Sequence, residues 1–319
     1  MAPQLSIVIP TLGRSVLLAR ALERLEAQDA PAESFEVIVV ADANERAPDA
    51  IERLLDGATC AGRALRAARP GASAARNVGW SAASAPLVLF LDDDVLPERG
   101  LVGGHLERHR RHPEVEAGVL GHVRWADELR VTPFMRWLER GIQFDFDGIE
   151  GEDAGWGRFY TANVSVKRAL LERVGGFEEE ALPFGYEDLD LALRMRDHGF
   201  RLLYAREACA EHVHPMDLEF WKRRVARIAV AEQRFVALHP DVAPYFFELF
   251  SAAARDRPAR GRGAALARLV PERTPVLGRR VWASADAVWR QALAPHFLAA
   301  WEAAQRGERV TSAAGEVPA

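Results

Sequence analysis

The stretch Leu87-Val88-Leu89-Phe90-Leu91-Asp92-Asp93-Asp94 decides how this chain is read. Its apolar, β-forming residues read as a buried strand, and that strand ends abruptly in three consecutive carboxylates. Residues two apart in an extended chain share a side, so Asp92 and Asp94 are expected to face one way and Asp93 the other. Carboxylates crowded at the open end of a buried strand repel one another unless a divalent ion, with the phosphates it carries, neutralises them. The plainer alternative is that the acids only end the strand and cap the next element, with Pro97 opening it.

Composition narrows the choice. With 319 residues, 49% hydrophobic and 27% charged, the chain can bury one large core or two smaller ones. A net charge of −5 gives no overall basic field, so nucleic acid is not an expected partner and any polyanion must be gripped locally. Cys60 and Cys209 have no metal-binding spacing and suit a reducing cytosol, and no disulfide is expected. The N-terminus, Met-Ala-Pro-Gln-Leu-Ser, lacks a basic region followed by a long apolar stretch, and no apolar run approaches the ~18 residues of a membrane span. The expected location is the cytoplasm, either free or peripheral at the inner face of the membrane.

Outward from the aspartates, strand-like runs at 5–10, 35–40, around Leu65 and at 87–91 alternate with helical patterns at 15–27, 51–55 and 71–79, the last capped by Ser73. Such alternation predicts an α/β layered domain with its ligand site at the carboxyl ends of the strands. Beyond Pro97 the pattern predicts a helix at 101–111, a strand at 119–125 and a helix at 133–140. A Gly- and acid-rich stretch at 145–157 reads as a mobile lid, which Phe144, Phe146 and Trp156 could help to close over a ligand. Further on come a strand at 159–166, a helix at 168–174 ended by Gly175-Gly176, a helix at 188–198 ended by Gly199, and a strand at 201–204. From Leu218 the chain reads as helical, with Phe220, Trp221, Val225 and Ile228 at helical spacing and Val281, Ala285, Val288 and Leu293 repeating it. Trp282, Trp289 and Trp301 add bulk that is costly to expose, which implies docking on the main domain, on a second subunit or on a membrane. An Arg-, Pro- and Gly-rich linker is expected at 255–263 and a disordered tail after Gly307.

Ser6-Ile-Val-Ile-Pro10-Thr11, Glu36-Val-Ile-Val-Val40 leading to Asp42, Ala74-Ala-Arg76-Asn77-Val-Gly79, Asp92–Asp94, Asn163-Val-Ser165, Gly175-Gly-Phe177, Glu187-Asp188 and His212 occur in that order. This set resembles the family 2 glycosyltransferases of GT-A fold over residues 5–215. The resemblance implies a Rossmann-like mixed sheet with flanking helices at 1–217, about 1–120 holding the donor and 121–217 the acceptor, plus a helical appendage at 218–319. It implies transfer of a sugar, with inversion, from a nucleotide-diphosphate donor to a carbohydrate, lipid-linked or small-molecule acceptor. Pro10, Thr11, Asp42, Arg76, Asn77, Asp92 and Asp93 would contact the donor. Asp94, His212 and Asp92 would hold Mn²⁺ or Mg²⁺, and an imidazole beside carboxylate oxygens suits Mn²⁺. Ala41 and Asn44 depart from the family's commoner acid and Ser, so contacts to the base are left open.

Each residue also has a plainer reading. Asp42 is a good turn former. Arg76, one turn inside a helix N-terminus where amides and dipole favour anions, could hold a diphosphate or simply face solvent. Glu187 and Asp188 could cap a helix and complement its dipole. Chemistry offers them another role, since an attacking hydroxyl must lose its proton to a fixed base. Asp188 is the candidate, with Glu187 contacting donor or acceptor hydroxyls. His212 and His214 alternate on an extended segment, so only one of them is expected to face the site.

A haloacid-dehalogenase-type phosphohydrolase also uses an apolar strand followed by Asp-x-Asp. Against it, that motif normally opens its domain, Leu96 replaces the usual Thr or Val, and the chain has only Lys167 and Lys222 as lysines. A P-loop NTPase fails for want of G-x-x-x-x-G-K-[ST]. A non-catalytic nucleotide-sugar-binding protein remains the other alternative.

Overall fold

The computed structural model describes residues 2–57, 60–182, 184–259 and 261–307; the tail beyond Gly307 lies outside them. The N-terminal half alternates β1 (Leu5–Thr11), α1 (Ser15–Glu26), β2 (Phe35–Ala41), α2 (Pro48–Asp56), β3 (Gly62–Arg66), α3 (Ala72–Ala82) and β4 (Leu87–Leu91). It continues through β5 (Val95–Pro97), α4 (Leu101–Arg111), β6 (Ala117–Trp125), α5 (Pro133–Leu138), β7 (Asn163–Lys167), α6 (Arg168–Val174), α7 (Glu187–Arg196) and β8 (Arg201–His212). Four helices close the described chain: α8 (Leu218–Leu238), α9 (Tyr245–Arg255), α10 (Arg262–Leu266) and α11 (Leu277–Gln305).

The strands form one sheet in the order β3-β2-β1-β4-β7-β6-β8-β5. β1 through β4 are mutually parallel, whereas β7 runs antiparallel to both β4 and β6 and β5 runs antiparallel to β8. Parallel strands need helices on both faces, and they read as unbroken apolar runs because both faces are buried. Ile7, Ile9, Val37 and Val39 pack under Leu18, Leu22 and Leu25 of α1. Val8, Ile38, Val40 and Phe90 face Ala74 and Ala75 of α3, with Leu191 and Met195 of α7 in the same cluster.

Local differences from the sequence reading have physical causes. Ser73 does not cap α3; Gly71, at φ 114°, occupies the cap position, and the buried Ser73 hydroxyl donates to the Leu182 carbonyl at 3.3 Å. β7 begins at Asn163 rather than 159, because Trp156–Arg158 form a single 3-10 turn and Phe159 is buried without strand pairing. β8 runs on to His212, its register against β6 breaking between Gly121 and His122. Such an irregularity redirects the strand beyond it. Gly175, left-handed at φ 82°, does end α6, its N–H donating to Leu171 O at 2.8 Å.

Asn163 and Ser165 have a structural task. His105 sits between the Asn163 Oδ1 and the Ser165 Oγ at 2.9 and 2.8 Å, and Asn163 Nδ2 donates to Ala208 O at 2.9 Å. The motif therefore ties β7 to α4 and β8 beneath the site.

The C-terminal helices are not left open. Trp221, Val225 and Ile228 of α8 and Trp282, Trp289, Phe297 and Trp301 of α11 join one core with Trp125, Phe134 and Trp137. Every tryptophan offered as costly surface is at most 6% exposed, so of the three docking surfaces considered for these helices the described residues show the main domain. No helix among the described residues is long and apolar enough to cross a membrane.

Gly79 sits where α3 crosses the sheet, and a Cβ there would lie 2.2 Å from Val8 Cγ1 and 3.2 Å from Val40 Cγ2. Both neighbours are buried and stiff at χ1. Gly79→Ala would gain about 1 kcal/mol of helix propensity but must displace α3, at about 1–3 kcal/mol or more. Urea denaturation is expected to show net destabilisation; a stabilised variant would mean that α3 shifts freely.

Candidate active site

The chain does not stay extended through the three aspartates. Val95 N–H donates to Asp92 O at 3.2 Å, forming a turn between β4 and β5, so the expected pairing of Asp92 with Asp94 gives way to another division, Asp92 apart and Asp93 and Asp94 meeting at one guanidinium. Asp92 turns to Arg76 Nη2 at 2.9 Å. Asp93 accepts from the Thr11 hydroxyl at 2.7 Å and from Arg14 at 3.0 Å. Asp94 also takes Arg14, at 2.7 Å through Oδ2, leaving Oδ1 3.9 Å from His212 Nε2.

Two arginines therefore carry the charge balance. Arg14 bridges Asp93 and Asp94 from the start of α1, and Arg76 bridges Asp92 and Glu187, the latter at 3.1 Å. Sequence reasoning missed Arg14, which lies in an ordinary-looking loop; the triple aspartate nearby was the signal that a cation had to be close. Burial pushes the Asp93 carboxyl up to about 7, with Arg14 opposing the rise and Asp94 adding to it. Burial acts on Asp94 in the same direction, yet His212 and Arg14 hold it below the usual carboxylate range. His212 is itself pushed down by burial and is neutral near pH 7, so the lasting counter-charge to Asp94 is Arg14.

The other predicted residues divide. Pro10, Thr11, Asp42, Arg76, Asp92, Asp93, Asp94, Glu187, Asp188 and His212 all line one cavity of about 640 Å³. Asp42 does so while accepting from Asn44 N–H at 2.8 Å and Gly71 N–H at 2.6 Å, which ties the end of β2 to the start of α3. Asn77 is not on the wall; its amide bonds Phe177 O, Glu179 and Trp80 and secures the Gly175-Gly-Phe177 turn. His214 does not face away as alternation requires. The strand stops at His212, His214 N–H turns back to His212 Nδ1 at 3.3 Å, and both rings reach the cavity.

Asp188 enters the cavity at the first turn of α7, after Tyr186, whose left-handed φ of 64° is strained for a residue with a side chain. Burial, then the neighbouring Glu187, push the Asp188 carboxyl up to about 7 against the pull of Arg76. The stretch 145–157 is tied at its end: Arg158 donates to Asp145 O at 2.7 Å and Ala154 O at 2.8 Å, and Trp156 lies on the cavity wall. Phe144 also lines the cavity, whereas Phe146 packs on His122, Tyr160 and Tyr204.

The far wall comes from the C-terminal helices. Asp217 caps α8 by accepting from Phe220 N–H at 2.7 Å, which fixes the phase of the helix so that Trp221, Arg224, Ile228, Glu232 and Phe235 line the cavity. Arg224 lies over Trp221 and Phe184, with guanidinium-to-ring distances of 5.8 and 5.5 Å, and forms no ion pair among the described residues. Burial lowers its pKa first, then the adjacent Arg227. Glu232 is fully buried, bonded to the Tyr186 hydroxyl and to Phe246 and Phe247 N–H at 2.7 and 2.8 Å. Buried side-chain polar atoms normally find partners. Among the described residues the exceptions are Arg76 Nε, Glu187 Oε2 and Arg224 Nε, and all three side chains belong to this cavity.

A divalent ion fits in a restricted way. No group of three or more His, Cys, Asp or Glu converges on one point among the described residues, and Asp92 is turned to Arg76. Asp94 and His212 supply one hard oxygen and one nitrogen, a pair suited to an ion that takes its other ligands from phosphates and water.

Residues 3–231 match the family model described as "Glycosyltransferase like family 2". The chain belongs to glycosyltransferase family 2. That membership displaces the phosphohydrolase alternative. The match runs past 217 into α8, in keeping with the place of α8 on the cavity wall. The chain is 30% identical over 277 residues to validoxylamine A glucosyltransferase of Streptomyces hygroscopicus subsp. jinggangensis, covering 77% of this chain and 63% of that protein. It is 29% identical over 174 residues to the pre-mycofactocin glycosyltransferase of Mycobacterium tuberculosis, covering 54% of this chain and 36% of that protein. The chain thus spans about three fifths of the length of the first of these relatives. Among solved structures, the mannosyltransferase PcManGT from Pyrobaculum calidifontis, in complex with GDP-Man and Mn²⁺, superposes with a TM-score of 0.61 at 20% identity over 93% of this chain and 88% of that one. S. aureus TarS 1-349 follows at 0.55 and 16% identity, covering 97% and 93%. These likenesses establish the GT-A-like α/β fold.

Arg76→Ala would strand Glu187 as an uncompensated buried carboxylate, a loss of about 3–5 kcal/mol in buried ion pairs. Thermal unfolding is expected to show a large fall in midpoint, part of which Asp92→Asn with Glu187→Gln restores. An Arg76→Ala protein as stable as wild type would show that the guanidinium is dispensable to the fold.

Proposed function

We propose that this chain transfers a sugar from a nucleoside-diphosphate donor to an acceptor hydroxyl, with inversion and with a divalent ion. The observation that carries the reading is the convergence of three unpartnered buried polar groups, Arg76 Nε, Glu187 Oε2 and Arg224 Nε, on a cavity that also holds Asp94, His212 and Asp188. Desolvated groups without partners are costly; a ligand rich in oxygens and hydroxyls satisfies them. PcManGT was solved in complex with GDP-Man, and S. aureus TarS 1-349 has also been solved in complex with UDP-GlcNAc, which supports a nucleotide sugar as donor.

In this reading Asp94 and His212 hold the ion, Mn²⁺ or Mg²⁺, which when bound neutralises charge on the departing diphosphate. Arg224 supplies a fixed cation on the same side, desolvated and therefore strongly felt by phosphate oxygens. Pro10, Thr11 and Asp42 flank the nucleotide, and Glu187 Oε2 accepts from a sugar or acceptor hydroxyl. Asp188 takes the proton from the attacking hydroxyl. Trp221, Phe184, Tyr186 and Ile228 offer apolar faces on the acceptor side, suited to the ring of a carbohydrate, a small molecule or a lipid-linked glycan.

The base must be unprotonated to act, so kcat/KM for the free enzyme is expected to fall on the acid side with an apparent pKa of about 7, each further pH unit costing about tenfold. Asp188→Asn should lower transfer by about 10²-fold or more and abolish that limb while calorimetry still finds metal-dependent binding of the nucleoside diphosphate. Asp94→Ala should lose that binding instead. Full turnover by Asp188→Asn would place the base elsewhere, and unchanged binding by Asp94→Ala would remove the proposed metal site.

A further inference from the structure

The segment joining α10 to α11 breaks the rules that the remaining surface obeys. Seven large apolar side chains stand exposed among the described residues, and four of them, Leu266, Leu269, Val276 and Leu277, fall in this one short segment at 44%, 79%, 59% and 54% exposure. Between Arg262 and Arg280 lie five exposed arginines, Arg262, Arg268, Arg273, Arg279 and Arg280, against one acid. That acid, Glu272, is held by Arg140. None of the five has an ion-pair or ring partner among the described residues, although the chain as a whole has a net charge of −5.

The tip is also built to stay presented. Val276 stands at φ 59° and ψ −56°, a positive-φ conformation costly for a β-branched residue. Main-chain bonds fix it there: Leu277 N–H donates to Pro275 O at 2.6 Å and Gly278 N–H to Thr274 O at 2.9 Å. A Cβ at Gly278 would lie 2.2 Å from Glu272 O, so the turn closes without slack. Beneath it, Ala264, Ala267 and Val270 anchor the segment in the core of the C-terminal helices.

We propose that this surface docks on a phospholipid bilayer carrying anionic headgroups. Exposed leucines beside unpaired arginines match the two layers of such an interface, the apolar side chains entering the headgroup boundary and the guanidiniums meeting phosphates. A second copy of the chain fits poorly, because a self-complementary contact would set arginine against arginine. Duplex nucleic acid would use the charge but has no place for four exposed aliphatic side chains. The segment adjoins the cavity: Arg140, which holds Glu272, precedes Gly141 and Ile142 on the cavity wall. Docking there brings the acceptor side of the cavity near the membrane. The inference rests on the surface alone and stands whether or not the cavity transfers a sugar.

The test is co-sedimentation of the full chain with vesicles of phosphatidylcholine alone and of phosphatidylcholine mixed with phosphatidylglycerol. The wild-type protein is expected to pellet with the mixed vesicles, to stay in solution with the neutral ones, and to be released in part by salt. Arg279→Gln with Arg280→Gln should lower the partition onto mixed vesicles by about tenfold or more, and Leu269→Ser with Leu277→Ser by about a hundredfold or more if both leucines bury fully. All four residues are exposed, so unfolding midpoints should match wild type. Wild-type protein that stays in solution with both vesicle types overturns the proposal, whatever the variants do. So does binding that both double variants retain, or binding to duplex DNA while mixed vesicles are ignored.

Discussion

Charge compensation at the carboxyl ends of the central strands is the constraint on which the site depends. Asp92, Asp93, Asp94, Glu187 and Asp188 crowd one cavity, and neither the sheet nor α7 could hold them there bare. Arg14 and Arg76 allow it, each shared between two acids and each rooted in a helix that packs on the apolar face of β1 or β4. The pairing is incomplete by design of the geometry: it restrains the carboxylates without using up Asp94 Oδ1, Glu187 Oε2 or Arg224 Nε. What is left over is a set of polar atoms with directions but no partners. A folded protein keeps such atoms where a ligand will satisfy them.

The parallel half of the sheet was legible because its physics is periodic. Unbroken Val, Ile and Leu runs at 5–11, 35–41 and 87–91 can only be strands covered on both faces, and helical spacing between them supplies the covers. The carboxyl-end location of the site followed from that topology. Side-chain direction was the weaker inference, since it assumed that strand geometry continues where the chain in fact turns. The turn at Asp92–Val95 parted Asp92 from Asp94 and brought Asp93 and Asp94 to one guanidinium, and the stop at His212 brought His214 into the cavity. Asn77 was placed by its neighbours' pattern, but an amide can serve a turn as readily as a nucleotide. Arg14 and Arg224 left no local mark, because a lone arginine reads as solvated surface until the fold shows what stands opposite.

The C-terminal helices are amphipathic as their spacing implied, and α8 in addition lines the cavity. α8 carries two apolar stripes, one closing on α11 and α5, the other facing the cavity with Arg224 set among aromatic rings. A sequence window detects amphipathicity without saying how many neighbours share the apolar arc. Among the described residues the tryptophans that would have called for a second subunit are therefore covered, and the uncovered cationic segment at 262–280 rests on one of them, Val270 O accepting from Trp282 Nε1 at 3.1 Å.

The bond between Tyr186 and Glu232 joins the strained residue just before Glu187 and Asp188 to a helix some forty residues later in the chain. Glu232 in turn receives Phe246 and Phe247 N–H from the start of α9. The C-terminal wall of the cavity and the turn that presents Glu187 and Asp188 are thus one mechanical unit. Divergence towards a new acceptor, which must reshape α8 and α9, will disturb the same contacts that orient Asp188. If Asp188 is the base and α8 and α9 shape the acceptor side, as proposed, specificity and rate are inherited together, and transplanting the C-terminal helices from a relative would carry over its catalytic pace along with its choice of substrate.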